Sequence, residues 1–102
     1  MSDKAFLIVL DRATADQLNA AHELVKQKTD KWWHRYEAVW VVLGGNAGEW
    51  RDSLKPLMPS GGATVMVFEL PRDVDNRWWA AFGPAAHEKF AWLRDEYKKP
   101  AG

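Results

Sequence analysis

The alternation of apolar and polar residues along the chain predicts four strands. Residues 5–10 form an unbroken apolar run, which is typical of a short strand buried on both faces. Residues 31–36 have a period near two, and residues 38–43 are again apolar throughout. We therefore expect two further strands there, with a bend or bulge near Glu37; the alternative is one long bent strand. The β-branched, apolar residues 63–70 predict the fourth strand.

Apolar residues at helical spacing follow two capping signals. A T-x-x-Q capping box at residues 14–17 precedes an apolar stripe, and this pattern decays near residue 28. An N-x-x-E signal at residues 46–49 begins a second helix. Pro56 must lie in or near its last turn, where a missing N–H costs less. A third amphipathic pattern predicts a C-terminal helix at about residues 84–98.

This order, β-α-β-β-α-β followed by a helix, predicts an α+β fold in a single domain over residues 1–102. Its expected form is the ferredoxin-like arrangement, an antiparallel sheet with two helices on one face. Three of the strands are apolar at consecutive positions, so the second face of the sheet is also expected to be dry. The C-terminal segment, a second copy of the chain, or both must cover it. A symmetric homodimer is the commonest solution for a small protein.

Composition narrows the classes of function. The chain has 102 residues, 14 basic and 14 acidic side chains and no cysteine. The charge balance counts against a dedicated nucleic-acid binder, which usually carries a basic excess. The absence of cysteine excludes disulfides and cysteine-rich zinc sites. No apolar run approaches the roughly 20 residues that span a bilayer, so we expect a cytoplasmic protein with no membrane partner.

Asp11 is the first candidate for chemistry, because it ends the first buried strand. A carboxylate in that position is a candidate catalytic residue and a candidate ligand for Mg²⁺, which takes oxygen ligands and keeps bound water. The alternative is a solvated turn residue before a helix, since Arg12 follows it directly.

His34 is the second candidate, since histidine is the natural acid or base near neutral pH. The alternative is a half-exposed strand histidine that is hydrogen-bonded to backbone or water. His22 and His87 lie on predicted helices far apart in sequence, and none of the histidine spacings of a helical zinc site is present.

Basic and aromatic residues alternate around the second strand. Strict alternation places Trp32, His34 and Tyr36 on one face, and Trp33, Arg35 and Glu37 on the other. Such a segment could bind single-stranded nucleic acid by base stacking and phosphate contacts. The expected contact residues are Lys31, His34, Arg35 and Tyr36. The alternative is a solvated helix end followed by aromatic residues of a core or dimer interface.

Five segments together carry a family resemblance: AFLIVLD, WWHRYEAVWVV, AGEWRDSLKPLM, TVMVFEL and AWLRDEY. Over about residues 5–98 the chain resembles the SinR-like proteins. These are ferredoxin-like relatives of the small CRISPR-associated adaptation nuclease subunit and of VapD-type toxins. The most specific parts are the WWH segment with Val39-Trp40 downstream, and the motif from Trp50 to Leu57.

The resemblance implies a homodimer whose sheets pack face to face. Asp11 matches the aspartate with which the nuclease relatives bind a divalent metal near the dimer axis, one from each subunit. Two positions depart from the family pattern, Leu10 where tyrosine is common and Ala38 where serine or threonine is common.

Three functions therefore remain open. The first is a dimeric SinR-like module that acts through protein or nucleic-acid contacts. The second is a Mg²⁺-dependent endonuclease with Asp11 as metal ligand. The third is a small-molecule enzyme that uses His34 in a dimer cavity.

Overall fold

The computed structural model describes residues 4–58, 62–72, 86–89 and 91–95 of the chain. Its elements, in chain order, are β1 (Ala5–Asp11), α1 (Ala15–Lys28), β2 (Trp32–Tyr36), β3 (Val39–Leu43), α2 (Ala47–Leu54), a 3-10 turn (Lys55–Leu57), β4 (Thr64–Leu70), α3 (Ala86–Lys89) and α4 (Ala91–Asp95). The four predicted strands are confirmed to within one residue at each end. Helices α3 and α4 lie inside the predicted C-terminal helix, and its residues 84, 85, 90 and 96–98 lie outside the described residues.

Both predicted helix starts are confirmed by their hydrogen bonds. The backbone N–H of Gln17 donates to Thr14 Oγ1 at 3.1 Å, and the N–H of Thr14 donates to Gln17 Oε1 at 2.8 Å. These two bonds complete a capping box at the start of α1. At the start of α2, the N–H of Glu49 donates to Asn46 Oδ1 at 2.8 Å. Pro56 lies in the 3-10 turn that ends this segment, as its missing N–H requires.

The strands form one four-stranded antiparallel sheet in the order β2-β3-β1-β4. The fold is thus α+β, with β1 and β3 in the centre and β2 and β4 at the edges. The turn at Glu37 and Ala38 joins β2 to β3, which confirms the predicted break between two short strands. The pairing of β2 with β3 shifts register between Trp33 and Tyr36, so the irregularity lies within β2 just before the turn.

One face of the sheet packs against α1 and α2. Alternate residues of β1 and β3 meet the apolar stripes of the two helices, and most are almost completely buried. The buried members of this core are Phe6, Ile8, Leu10, Ala21, Val25, Trp40, Val42, Trp50 and Leu54. Since the intervening residues of the same strands point to the other side, the sheet needs a second cover.

The second face is covered at one end by α3 and α4. Leu93 of α4 is 6% exposed and packs with Ala5, Trp33, Val41 and Leu43. The indole N–H of Trp33 donates to the backbone oxygen of Lys89 at 2.9 Å, which ties the two helices to β2. The C-terminal segment, one of the alternative covers expected for this face, thus lies on this end of the sheet.

Among the helices in the described part of the chain, none is long and apolar enough to cross a membrane.

Candidate functional site

The other end of the second sheet face is apolar and open. Strand register aligns Tyr36 of β2, Val39 of β3, Val9 of β1 and Met66 of β4 in one row across all four strands. Phe68 lies in the adjacent row, opposite Leu7. Tyr36, Phe68 and Met66 are 55%, 49% and 48% exposed, an unusual exposure for large apolar side chains at a sheet surface. We call Val9, Tyr36, Val39, Met66 and Phe68 the open-face patch.

Asp11 lies at the border of this patch. It pairs with Thr64 at the end of β1. On this face of the sheet, that pair is the next one along from the pair formed by Val9 and Met66. Strand alternation places its carboxylate on the same face as Val9. Asp11 and Thr64 are both exposed. Arg12 then turns the chain away with a φ of +63°, an uncommon conformation for a residue with a side chain.

Asp11 is the candidate metal ligand at this position among the residues that the structure describes. Within residues 4–58, 62–72, 86–89 and 91–95, no three histidine, aspartate or glutamate side chains lie close enough together to hold a metal ion. Mg²⁺ is held in many sites by one or two carboxylates, bound water and substrate phosphate. Asp11 supplies one such carboxylate, and a second copy of the chain could supply another.

The four residues predicted to contact nucleic acid do not form one surface. Lys31 is exposed just before β2, whereas His34 faces α1 on the helix side of the sheet. Tyr36 lies on the opposite side, with its ring 5.9 Å from the ring of Trp33. The predicted sharing of a face by His34 and Tyr36 is therefore wrong, because the register shift within β2 reverses the alternation. The side chain of Arg35 lies outside the described part of the structure.

The lysines that precede β2 line a separate cleft at the end of α1. This cleft of about 560 Å³ is bordered by Lys26 and Lys28, but also by Asp30 and Glu49. Lys28 Nζ lies 5.5 Å from the centre of the Trp50 ring, a cation–π contact. The mixed charges of this cleft do not make the concentrated basic surface that phosphate binding requires.

His34 belongs to a cluster of aromatic rings that the sequence did not predict. Its ring stacks on Trp40, with ring centres 4.4 Å apart and planes inclined by only 5°. His22 of α1 lies beside both rings, with its ring centre 4.7 Å from that of His34 and 6.5 Å from that of Trp40. Trp32 meets the ring of His22 edge-on at 5.0 Å. Two histidines distant in sequence thus share one site.

Hydrogen bonds give the two histidines opposite roles. His34 Nδ1 lies 2.9 Å from the backbone oxygen of Val39, and since a carbonyl oxygen only accepts, Nδ1 must carry the proton. The indole N–H of Trp40 donates to His22 Nδ1 at 3.2 Å, so this nitrogen must carry a lone pair. In the neutral rings, the remaining nitrogen Nε2 is therefore an acceptor on His34 and a donor on His22.

The two rings open into a cavity of about 290 Å³, which we call the histidine cleft. Its lining residues are Ala15, Leu18, Asn19, His22, His34 and Glu37. The pKa of His22 is lowered from its usual value, first by partial burial and then by the proximity of His34 and Lys26, while Glu23 opposes the shift. The ring of His22 thus remains uncharged near neutral pH.

His22 is the residue that sequence reasoning missed. One signal could have found it, because His22 follows Leu18 by four residues and precedes Val25 by three, on the stripe that faces the sheet. Which strand residue it meets depends on how α1 docks, and local spacing does not contain that information. The open-face patch and the histidine cleft lie on opposite faces of the sheet, so a dimer formed through the patch would not enclose His34.

No protein-family model, no functionally characterised protein and no solved structure matches this chain.

Proposed function

We propose that the protein acts as a homodimeric module of the SinR-like type, in which the open-face patches of two copies pack against each other. The observation that carries the proposal is the row of Tyr36, Val39, Val9 and Met66, which crosses all four strands with its two end residues about half exposed. Removing such a surface from water is favourable by roughly 25 cal/mol for each Å² of apolar area.

A ferredoxin-like chain topology is part of the proposal. The order β-α-β-β-α-β and the central position of β1 and β3 support it. In this arrangement the crossover helices α1 and α2 occupy one face, and the opposite face is free to meet another sheet. The resemblance to SinR-like proteins supports the same mode of association.

A second copy is the partner that the chain's own properties favour. Basic and acidic side chains balance at 14 each, so two copies carry no net charge with which to repel each other. In a dimer with a two-fold axis through the patch, the same residues of both copies form the interface. The apolar row of one copy would then pack against the apolar row of the other. The five side chains that define the patch include no lysine or arginine, so the patch itself offers no cation to a phosphate group.

The test is the mass of the protein in solution. We expect multi-angle light scattering to report twice the 11.7 kDa chain mass at high micromolar concentration. Met66→Lys and Phe68→Lys each place a charge in the patch and are expected to give a monomer. Gln27→Lys, at an exposed position of α1 behind the sheet, is the matched control and should remain dimeric. A mass of 11.7 kDa for the natural chain at every concentration contradicts the proposal.

A second candidate function, a Mg²⁺-dependent endonuclease, is favoured by the position of Asp11. Its carboxylate is exposed at the border of the patch. The resemblance to the nuclease relatives implies that the two Asp11 side chains of a dimer meet near its axis. The pair of carboxylates would hold the ion, and the ion would supply charge stabilisation at a phosphodiester. The endonuclease activity requires the dimer, whereas the dimer can form whether or not the protein cleaves nucleic acid.

Cleavage of RNA and duplex DNA, with Mg²⁺ and with chelator, tests the second candidate. We expect chelator to abolish cleavage and Asp11→Asn to reduce it by at least about a hundredfold, because a direct metal ligand is lost. Asp30→Asn, a change at another exposed carboxylate, is the control and should retain activity. Cleavage that survives in Asp11→Asn removes this residue from the mechanism, and absence of Mg²⁺-dependent cleavage in the natural chain removes the function.

A further inference from the structure

The histidine cleft is lined by one ring whose second nitrogen is an acceptor and by one ring whose second nitrogen is a donor. The second nitrogens of His34 and His22 have no hydrogen-bond partner among the described residues, since the bonds to Val39 and from Trp40 use Nδ1 in both rings. In the described part of the chain, no buried side-chain nitrogen or oxygen lacks a hydrogen-bond partner. Both Nε2 atoms are therefore accessible to solvent or to a ligand.

Trp40 makes this pair unsuitable for chelating a metal ion. A metal held between the rings would need the lone pair of Nε2 on each of them. The indole N–H of Trp40 donates to His22 Nδ1, so the proton of that ring is on Nε2 and blocks coordination there. Only His34 has the usual arrangement of a metal-binding histidine, with Nδ1–H donated to a backbone oxygen.

The charges around the cleft also disfavour anions. Glu37 lines the cavity with a carboxylate, and His22 contributes no positive charge at neutral pH because its pKa is lowered. Lys26, near His22 on α1, is accompanied by Glu23, whose carboxylate lies 3.4 Å from Lys26 Nζ. Among the described residues that line the cleft there is no lysine or arginine to pair with a phosphate or carboxylate group.

We propose that the histidine cleft binds a small uncharged molecule that carries hydroxyl groups, such as a sugar or a polyol. A hydroxyl is the simplest group that matches the pair, since it donates to His34 Nε2 and accepts from the N–H of His22 in the same position. Asn19 and Glu37 can bond further hydroxyls, and the side chains of Ala15 and Leu18 provide an apolar wall for carbon atoms.

The size and position of the cleft fit this assignment. A volume of about 290 Å³ suits a ligand the size of a monosaccharide and is small for an oligomer. The cleft lies between α1 and β2 on the helix side of the sheet, away from the open-face patch. The proposal therefore stands independently of the homodimer.

Nuclear magnetic resonance of the histidine side chains tests the site in the full chain. Two-bond ¹⁵N–¹H correlation spectra are expected to show Nδ1–H on His34 and Nε2–H on His22. Addition of glucose or glycerol should shift the Nε2 resonances of both rings in a saturable manner, whereas glucose 6-phosphate should bind at least about fivefold more weakly.

Variants separate ligand binding from structural support. His34→Phe retains a ring to stack on Trp40 but removes the acceptor, and it should weaken glucose binding about fivefold or more. Glu37→Gln removes a negative charge from the lining of the cleft but keeps a side chain that can bond hydroxyls; it should reduce the discrimination against glucose 6-phosphate. Leu18→Phe fills the cavity and should abolish binding without touching either histidine nitrogen.

Three results would overturn the proposal. The first is the absence of any saturable shift at His22 and His34 with glucose and glycerol. The second is tighter binding of glucose 6-phosphate than of glucose. The third is unchanged glucose affinity in both His34→Phe and Leu18→Phe, once circular dichroism shows that these variants are folded.

Discussion

Neighbouring groups give the same side chain different chemistry at two positions in this protein. His34 donates through Nδ1 to Val39, and His22 accepts at Nδ1 from Trp40. The two residues therefore differ in which ring nitrogen bears the proton, although both are half-buried histidines in one cleft. The sequence indicated His34 as a candidate acid or base. It could not indicate that His22 is the partner of His34, because the two residues are twelve positions apart and meet only when α1 packs against β2.

The lowered pKa of His22 makes the stability of the protein depend on pH. In a window just below about pH 6.5, the usual histidine pKa, the unfolded chain binds a proton that folded His22 does not take up. The contribution of His22 to the free energy of unfolding is therefore fully present above that window and declines as the pH falls through it. When the pH is lowered from about 7.5 to about 5.5, we expect the urea midpoint of the natural chain to decrease by more than that of His22→Gln.

The comparison between natural chain and variant isolates His22 from other titrations. His34 and Glu37 face the same cleft, and Lys26 and Glu23 lie beside His22 on α1. These groups remain in His22→Gln, so their contributions appear in both proteins. An equal or larger decline in His22→Gln would show that the residue does not favour its neutral form in the folded state.

At the scale of elements, short-range signals account for most of the secondary structure. The capping box at Thr14, the cap at Asn46 and the position of Pro56 each act within one helical turn. The irregularity in β2 determines which distant parts of the chain its side chains contact. Because it inserts a shift between Trp33 and Tyr36, it moves Tyr36 to the open face and leaves His34 toward α1.

The capping box predicts a measurable cost when its hydroxyl is removed. Thr14→Ala deletes the acceptor for the N–H of Gln17 and is expected to lower the free energy of unfolding by about 1 kcal/mol. Thr14→Ser retains the hydroxyl and should stay within about 0.5 kcal/mol of the natural chain. Urea denaturation measures both. Equal losses in the two variants would mean that the hydroxyl does not cap α1.

At the scale of the whole molecule, the exposed area sets the expected strength of the dimer. Large aromatic side chains bury about 150–250 Å² each, and Met66 is only somewhat smaller, so the half-exposed Tyr36, Phe68 and Met66 together offer roughly 300 Å² per copy. Two copies would bury about 600 Å² of this surface, compared with about 1,200–2,000 Å² for a stable specific interface. The patch thus provides the centre of an interface, and the light-scattering transition is expected at micromolar or higher concentration.

The sequence alone determined the elements of this protein and the apolar character of both sheet faces. Helical caps, period-two segments and proline act over a few residues, and the chain records them directly. The tertiary structure decided which residues become neighbours: that α3 and α4 cover only one end of the second face, that Asp11 borders the open end, and that His22 meets His34. These outcomes depend on strand register and helix docking, which arise from many weak contacts between distant segments and leave no local pattern.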